Sequence, residues 1–115
     1  MPKPEREFEQ PPGAWEQADG AVRGIWTRTL ADDPETGAYT GLLRYEPGVD
    51  TSPIGTRVHE YWEEVYILTG DLTDLRLGKT FTAGMYACRP PGMAHGPWRT
   101  GEGALMLEIR YNTER

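Results

Sequence analysis

Residues 59–71 read HEYWEEVYILTGD, and residues 84–95 read GMYACRPPGMAH. Side chains along an extended chain alternate between two faces, so residues two apart point the same way. On an extended chain His59 and Glu63 therefore share one face, together with the aliphatic residues that alternate after them. The second stretch begins as a short strand and ends in a stiff Pro/Gly loop that carries His95. The pattern predicts two strands, each with a histidine near one of its ends.

The rest of the chain has the same β character. Its 115 residues include 14 Gly and 10 Pro, which favour frequent turns over long helices. Four Trp and six Tyr favour strands with bulky inward faces. Strands are expected over residues 21–30, 38–45, 56–68, 72–77, 80–82, 85–90 and 104–111. This spacing predicts one all-β domain, built as a sandwich or a barrel.

Two details concern the turns and faces of these strands. The dipeptide Gly70-Asp71 is predicted to turn the chain. The last strand alternates, and its inward residues are expected to be Leu105, Leu107, Ile109 and Tyr111, its outward residues Met106, Glu108 and Arg110.

Composition and charge limit the class of protein. The net charge is −6, so the cationic surface that nucleic-acid binding needs is not expected. One cysteine excludes an internal disulfide, and no apolar stretch approaches the length of a membrane span or of a secretory signal. A cytoplasmic location is therefore expected. Residues 1–13 hold four prolines and are predicted to form an extended arm, with residues 14–115 as the barrel domain.

The chain contains only two histidines, His59 and His95. Two imidazoles and one carboxylate, here that of Glu63, are the ligand set of open transition-metal sites. Such a set suits one divalent ion of Fe, Mn, Ni, Co or Zn, and the lack of thiolates is unlike a closed structural zinc site. The alternative is that His95 lies on a surface loop and His59 is hydrogen-bonded in the core.

The second stretch matches a sequence motif of the cupins. That motif, G-x5-P-x-G-x2-H, is met by Gly84, Pro90, Gly92 and His95, whereas its trailing Asn is replaced by Arg99. The resemblance covers roughly residues 40–111. It implies the double-stranded β-helix, or jelly-roll barrel, of the cupins.

The first stretch is similar to the first cupin motif, G-x5-H-x-H-x3,4-E-x6-G. His59, Glu63 and Gly70 occupy its second His, its Glu and its last Gly, while the first His is replaced by Arg57 and the first Gly is Thr51. Arg57 could repel a metal ion, pair with Glu63, or reach the barrel mouth and bind an anionic substrate.

The resemblance implies roles for particular side chains. His59, Glu63 and His95 become the metal ligands, and Glu64 takes the place of Glu63 if the strand bulges there. The expected catalytic residues are Glu63, Tyr61 and Arg57. The expected substrate-pocket residues are Tyr86, Cys88 and Trp98.

The resemblance extends to the zinc-binding cupin half of bacterial anti-sigma factors and to small diketone- or acetophenone-cleaving dioxygenases. It implies a small metal-dependent oxidoreductase of the dioxygenase type, acting on a β-diketone, hydroxyketone or keto acid. One alternative is a non-catalytic cupin that binds or senses a ligand. Another is a metal-free isomerase or epimerase of the sugar type, with His59 and Tyr61 as its acid–base pair. The resemblance also implies a homodimer.

Overall fold

The fold is all-β in the computed structural model, which describes residues 2–18 and 20–112. Those residues contain no helix, and hence none that could cross a membrane. The strands are β1 (Glu16–Gln17), β2 (Ile25–Asp33), β3 (Ala38–Tyr45), β4 (Trp62–Asp74), β5 (Lys79–Thr82), β6 (Tyr86–Arg89), β7 (Trp98–Arg99) and β8 (Ala104–Tyr111). The predicted all-β class is confirmed.

All strand pairs are antiparallel, in the order β1-β2-β3-β8-β4-β5, and β6 and β7 also pair with β4. The long strand β4 joins two parts of this arrangement. Its residues 62–70 pair with β8 and residues 63–66 also pair with β6, whereas residues 71–74 pair with β5 and residues 73–74 also pair with β7. A single strand that changes partners along its length curls the sheet into a barrel around one core.

Most strands lie near their predicted places. The strands over 38–45 and 104–111 have their predicted bounds, whereas the strand predicted over 21–30 lies at Ile25–Asp33. The strand predicted from Thr56 begins at Trp62. The boundary between the arm and the barrel stays a prediction, and Asp19 and the ends of both predicted segments, Met1 and residues 113–115, lie outside the described residues.

The predicted turn at Gly70-Asp71 is wrong, because β4 continues through both residues to Asp74. A Cβ at Gly70 would lie 1.9 Å from the carbonyl oxygen of Gly103, and Gly70 has a φ of +92°. The glycine is therefore needed for a close crossing of two chain segments, not for a reversal. The chain reverses one strand segment later, at residues 75–78, so no separate strand forms over 72–77.

The predicted faces of β8 are also reversed. Met106 is 1% exposed and Glu108 is 3% exposed, whereas Leu105 and Leu107 are only half-buried. Both faces of the strand carry long side chains, so alternation alone could not say which face points inward. The inner face lies against a partly polar cavity, and this accommodates the glutamate.

The crossing at Gly70 gives the first prediction. Gly70→Ala should destabilise the fold by more than about 4 kcal/mol or prevent folding, because its Cβ collides with backbone. Gly78→Ala is the matched control, since Gly78 also has positive φ but open space around it, and should cost about 1 kcal/mol. Chemical denaturation measures both variants. Similar stabilities for the two variants would contradict the close crossing.

Asp71 hydrogen-bonds to the turn that precedes β8, beside this crossing. Its carboxylate accepts hydrogen bonds from the backbone amides of Gly101, at 3.0 Å, and Glu102, at 2.8 Å. These two bonds hold the pKa of Asp71 below its usual value. Because folding lowers this pKa, the carboxylate stabilises the fold fully above its unfolded pKa of about 3.9 and progressively less as the pH falls through its folded pKa.

Asp71→Asn should lower the free energy of unfolding by about 1 kcal/mol at pH 7, since a neutral amide oxygen accepts weaker hydrogen bonds. The difference from the wild type should shrink as the pH falls below about 4, where the wild-type carboxylate becomes protonated. Denaturation curves from pH 7 to pH 3 measure it. Glu102→Gln is the control and should show no such trend, and a pH-independent effect of Asp71→Asn would refute this role.

Candidate metal centre

His59, Glu63 and His95 meet inside the barrel. One donor atom of each lies within 4.8 Å of the others. The Nε2 atom of His59 is 4.0 Å from Oε2 of Glu63, and Nε2 of His95 is 3.8 Å from Oε1 of the same carboxylate. Each glutamate oxygen thus faces one imidazole, an arrangement in which three donors can converge on one ion.

Backbone hydrogen bonds hold the two histidines in register. Arg57 and His95 form an isolated antiparallel bridge in which each amide donates to the other's carbonyl, at 2.7 and 2.9 Å. The amide of Gly92 donates to the carbonyl of His59 at 2.9 Å. The Pro/Gly loop is therefore bonded along the segment that precedes β4, and this fixes His95 beside His59.

Among the described residues, His95 has the only buried side-chain nitrogen or oxygen atoms that lack a hydrogen-bond partner. Its residue is 7% exposed, and neither ring nitrogen has a hydrogen-bond partner in the described part of the chain. Burial and the nearby Arg89 charge lower the pKa of His95 to about 4, so the imidazole is neutral at pH 7 and one nitrogen carries a free lone pair. Burial likewise lowers the pKa of His59. Neutral imidazoles are the form that binds metal.

Glu63 is buried, at 5% exposed, and stays ionised. Burial raises its pKa, but a hydrogen bond from Glu108 and the hydrogen bond and charge of Arg89 outweigh it and lower the pKa to about 2. The guanidinium of Arg89 lies 2.7 Å from Oε1 of Glu63. A hydrogen-bonded carboxylate is typical of ligands oriented by an outer partner.

Glu108 is the site residue that the sequence analysis missed. Burial and its hydrogen bond to Glu63 raise the pKa of Glu108 to about 7. Arg110 donates to both Glu108 oxygens, at 2.9 and 3.2 Å, and its guanidinium lies over the Tyr61 ring. The signal in the sequence is the pair of opposite charges at Glu108 and Arg110, two residues apart on β8. Alternation alone predicts that this pair lies on the outer face.

Tyr61 and Trp98 both line the cavity, and their catalytic and substrate-pocket roles stay predictions. The Tyr61 ring stacks on the His59 ring, with centroids 4.6 Å apart and planes at 16°. Trp98 is buried in the core, and its ring lies 6.1 Å from that of His95 and 5.2 Å from the guanidinium of Arg89. These aromatic rings pack beside the two imidazoles and the arginine and restrict their movement.

Arg57 also lines the cavity. Residues directly opposite in an antiparallel pair project from the same face, so the bridge to His95 directs the Arg57 side chain toward the site. The residue is exposed at the cavity mouth. Its side chain does not pair with Glu63, which is bonded to Arg89 instead.

Tyr86 and Cys88 differ from the expectation that they share the pocket of the ligands. Register places them opposite Tyr66 and Glu64, on the outward face of β4. They line a groove of about 290 Å³ beside β6 that also includes Arg89, His95 and Trp98, but they do not line the cavity that holds all three members of the triad. Glu64 also points outward, where it accepts hydrogen bonds from Tyr86 and Tyr111. Glu63, not Glu64, therefore faces the two histidines.

The triad cavity has a volume of about 300 Å³, enough for a small organic molecule. Its apolar wall includes Val22, Ile25, Leu43, Val65 and Met106. Its charged groups are Arg57, Glu63, Arg89, Glu108 and Arg110. An apolar wall with a few charged groups gathered around one triad is the usual construction of a small-molecule site.

This barrel, with two histidines and a glutamate converging inside it, matches a known family over nearly its whole length. The family model of the ChrR cupin-like domain matches residues 12–112. The chain belongs to the ChrR cupin-like domain family. The predicted single-domain cupin barrel is confirmed.

Solved structures share the fold at low sequence identity. An RmlC-like cupin from Shewanella frigidimarina is 18% identical, with a TM-score of 0.74 over 100% of this chain and 97% of that one. An acetylacetone dioxygenase from Acinetobacter johnsonii is 18% identical, with a TM-score of 0.74 over 94% of this chain and 74% of that one. The polyketide cyclase RemF from Streptomyces resistomycificus is 17% identical, with a TM-score of 0.69 over 96% and 87%.

A comparison with curated proteins found no match. At these identities the structural similarity shows the cupin fold alone, since one fold supports several chemistries.

Proposed function

We propose that this cupin is a small metal-dependent enzyme whose ion is held by His59, Glu63 and His95. The observation that carries the proposal is the buried His95 ring, whose two nitrogens lack hydrogen-bond partners among the described residues. A buried polar atom without a partner costs about 1–3 kcal/mol, which a ligated ion would offset. The ionised Glu63 carboxylate beside it supplies the charge that a cation needs.

The chemistry of the three donor side chains limits which metal ions the site suits. Two imidazoles and a carboxylate suit one divalent ion of Fe, Mn, Ni, Co or Zn, with coordination positions left open. Such an ion, when bound, supplies Lewis-acid chemistry or, if it is redox-active, oxygen chemistry. The proposed substrate is a small molecule with neighbouring oxygens, such as a β-diketone, hydroxyketone or keto acid. Dioxygenase chemistry is the preferred reaction because the fold is shared with an acetylacetone dioxygenase.

The surrounding residues have complementary roles in this proposal. Arg89 fixes the Glu63 carboxylate, and Trp98 packs under Arg89 and beside His95. Tyr61 holds the His59 ring by stacking and lines the cavity that would receive the substrate. Glu63 acts as a ligand in this proposal, since the hydrogen bonds from Arg89 and Glu108 hold its pKa at about 2 and make it a weak base.

A metal-free isomerase or epimerase is the second candidate. It is favoured by the Arg89–Glu63 ion pair, which neutralises the carboxylate without any metal. His59 and Tyr61 would then act on the substrate separately, because their rings stack face to face and no hydrogen bond joins them in the described structure. A non-catalytic binding role, the homodimer and the cytoplasmic location stay predictions.

Elemental analysis of protein purified without chelator or affinity nickel tests the metal centre. About one transition-metal ion per chain is expected in the wild type. His59→Ala and His95→Ala should each abolish stoichiometric metal. Glu63→Gln should weaken binding by more than about 100-fold, which exceeds the effect typical of losing an outer partner.

Glu64→Gln is the matched control, because it changes the neighbouring carboxylate that points outward, and it should keep its metal. Stoichiometric metal in both histidine variants would disprove the assignment. A wild type that takes up no metal, with variants that fold normally, would favour the metal-free candidate.

Position 57 offers a gain-of-binding test. Arg57→His places an imidazole opposite His95 on the same face, so it should tighten metal binding by about tenfold or more. Arg57→Gln is its control, because it removes the positive charge without adding a ligand. Calorimetric titration with Zn²⁺ or Mn²⁺ measures both variants. Equal affinities for both variants and the wild type would show that position 57 lies away from the ion.

A further inference from the structure

The charges inside the triad cavity do not balance. Three arginines and two glutamates line it, although the chain as a whole has a net charge of −6. Arg89 pairs with Glu63 at 2.7 Å, and Arg110 pairs with Glu108 at 2.9 Å. One guanidinium, that of Arg57, remains after these two pairs are formed.

The remaining guanidinium has no partner of its own among the described residues. No hydrogen bond or ion pair involves the Arg57 side chain within residues 2–18 and 20–112, and its residue is exposed at the cavity mouth. Elsewhere, Arg28 donates to the carbonyls of Pro11 and Gly13, and Arg76 donates to that of Ala94. The fold thus binds several of its other arginines to itself but leaves Arg57 facing a concave site.

The backbone bridge to His95 directs the Arg57 side chain toward the site. Its amide and carbonyl both bond to His95, so the two side chains leave the bridge on one face. A ligand that contacts the His95 ring is therefore within reach of the Arg57 guanidinium, whose N–H donors form a planar fork. Guanidinium forks bind carboxylates through two parallel hydrogen bonds.

We propose that Arg57 anchors a carboxylate group of the substrate, so that the cavity selects a small anionic keto acid over a neutral diketone. This inference rests on the proposed function, since it assigns the substrate class of the same site. Arg89 and Arg110 are less suited to the role, because each already donates hydrogen bonds to a buried glutamate, and moving either one would leave carboxyl oxygens without a donor. Arg57 binds the anion without breaking any pair.

The position of the anchor also orients the ligand. A carboxylate held at Arg57 lies at the mouth of the cavity, and the rest of a short keto acid then extends inward past His95. Its keto oxygen faces the triad, and its carbon chain meets the apolar wall formed by residues such as Val65 and Met106. A neutral diketone contacts the same apolar wall but leaves Arg57 without a charged partner.

Acetoacetate and acetylacetone form a matched pair of probes, because a carboxylate in the first replaces an acetyl group in the second. Each is titrated into the chelator-treated full chain at pH 7 and followed by nuclear magnetic resonance or calorimetry. Acetoacetate should bind at least about tenfold more tightly than acetylacetone, as expected for charge-assisted hydrogen bonds. Added salt should weaken acetoacetate binding and leave acetylacetone binding unchanged.

Arg57→Gln should remove the preference for acetoacetate without changing acetylacetone binding, and Arg57→Lys should restore part of it. Both variants should unfold at the wild-type temperature, because the exposed side chain has no partner to lose within the part of the chain that the structure describes. Equal binding of the two probes by the wild type, or a preference that survives Arg57→Gln, would overturn the inference.

Because the titrations use metal-free protein, their outcome is independent of the elemental analysis. Normal metal content with no effect of Arg57→Gln would overturn only the carboxylate anchor. An Arg57-dependent preference in a protein that takes up no metal would support the anchor and overturn the metal-dependent function.

Discussion

The site depends on the backbone bridge between Arg57 and His95. These residues belong to segments far apart in sequence, and their two hydrogen bonds, with the one from Gly92 to His59, bind the Pro/Gly loop to the chain that enters β4. Because the bonds are between backbone atoms, they position both histidines without using a side chain. The imidazoles therefore remain free for a ligand, at the cost of burying His95 nitrogens that have no partner within residues 2–18 and 20–112.

Electrostatic pairing makes this buried arrangement tolerable. Glu63 and Glu108 are both nearly inaccessible to solvent, and each has its own arginine. A buried ion pair is rarely favoured over an apolar core, because desolvation opposes the attraction. Its presence in a cavity wall is better explained by the chemistry it allows, here an ionised Glu63 held between two neutral imidazoles.

The sequence predicted those features that follow from local periodicity and from motif spacing. Alternation from His59 placed Glu63 on the correct face, and the motif glycines placed His95 beside it. The sequence could not predict how the strands pair with one another in the folded barrel. Whether Glu108 points inward depends on how β8 lies against β3 and β4, and the outward position of Tyr86 depends on its pairing with Tyr66. The role of Gly70 likewise depends on a segment that crosses it, Gly103.

The residue at position 57 illustrates how one scaffold can exchange one kind of binding for another. The bridge fixes the direction of this side chain whatever its identity, because the hydrogen bonds are made by the backbone. A histidine there would add a donor beside the triad and leave fewer open coordination positions. An arginine instead keeps the three-donor set open and adds a positive charge where a ligand enters. In the proposed site this charge would reduce ion affinity by repulsion and increase the affinity for an anionic ligand, so the balance of these two terms would determine what the cavity binds.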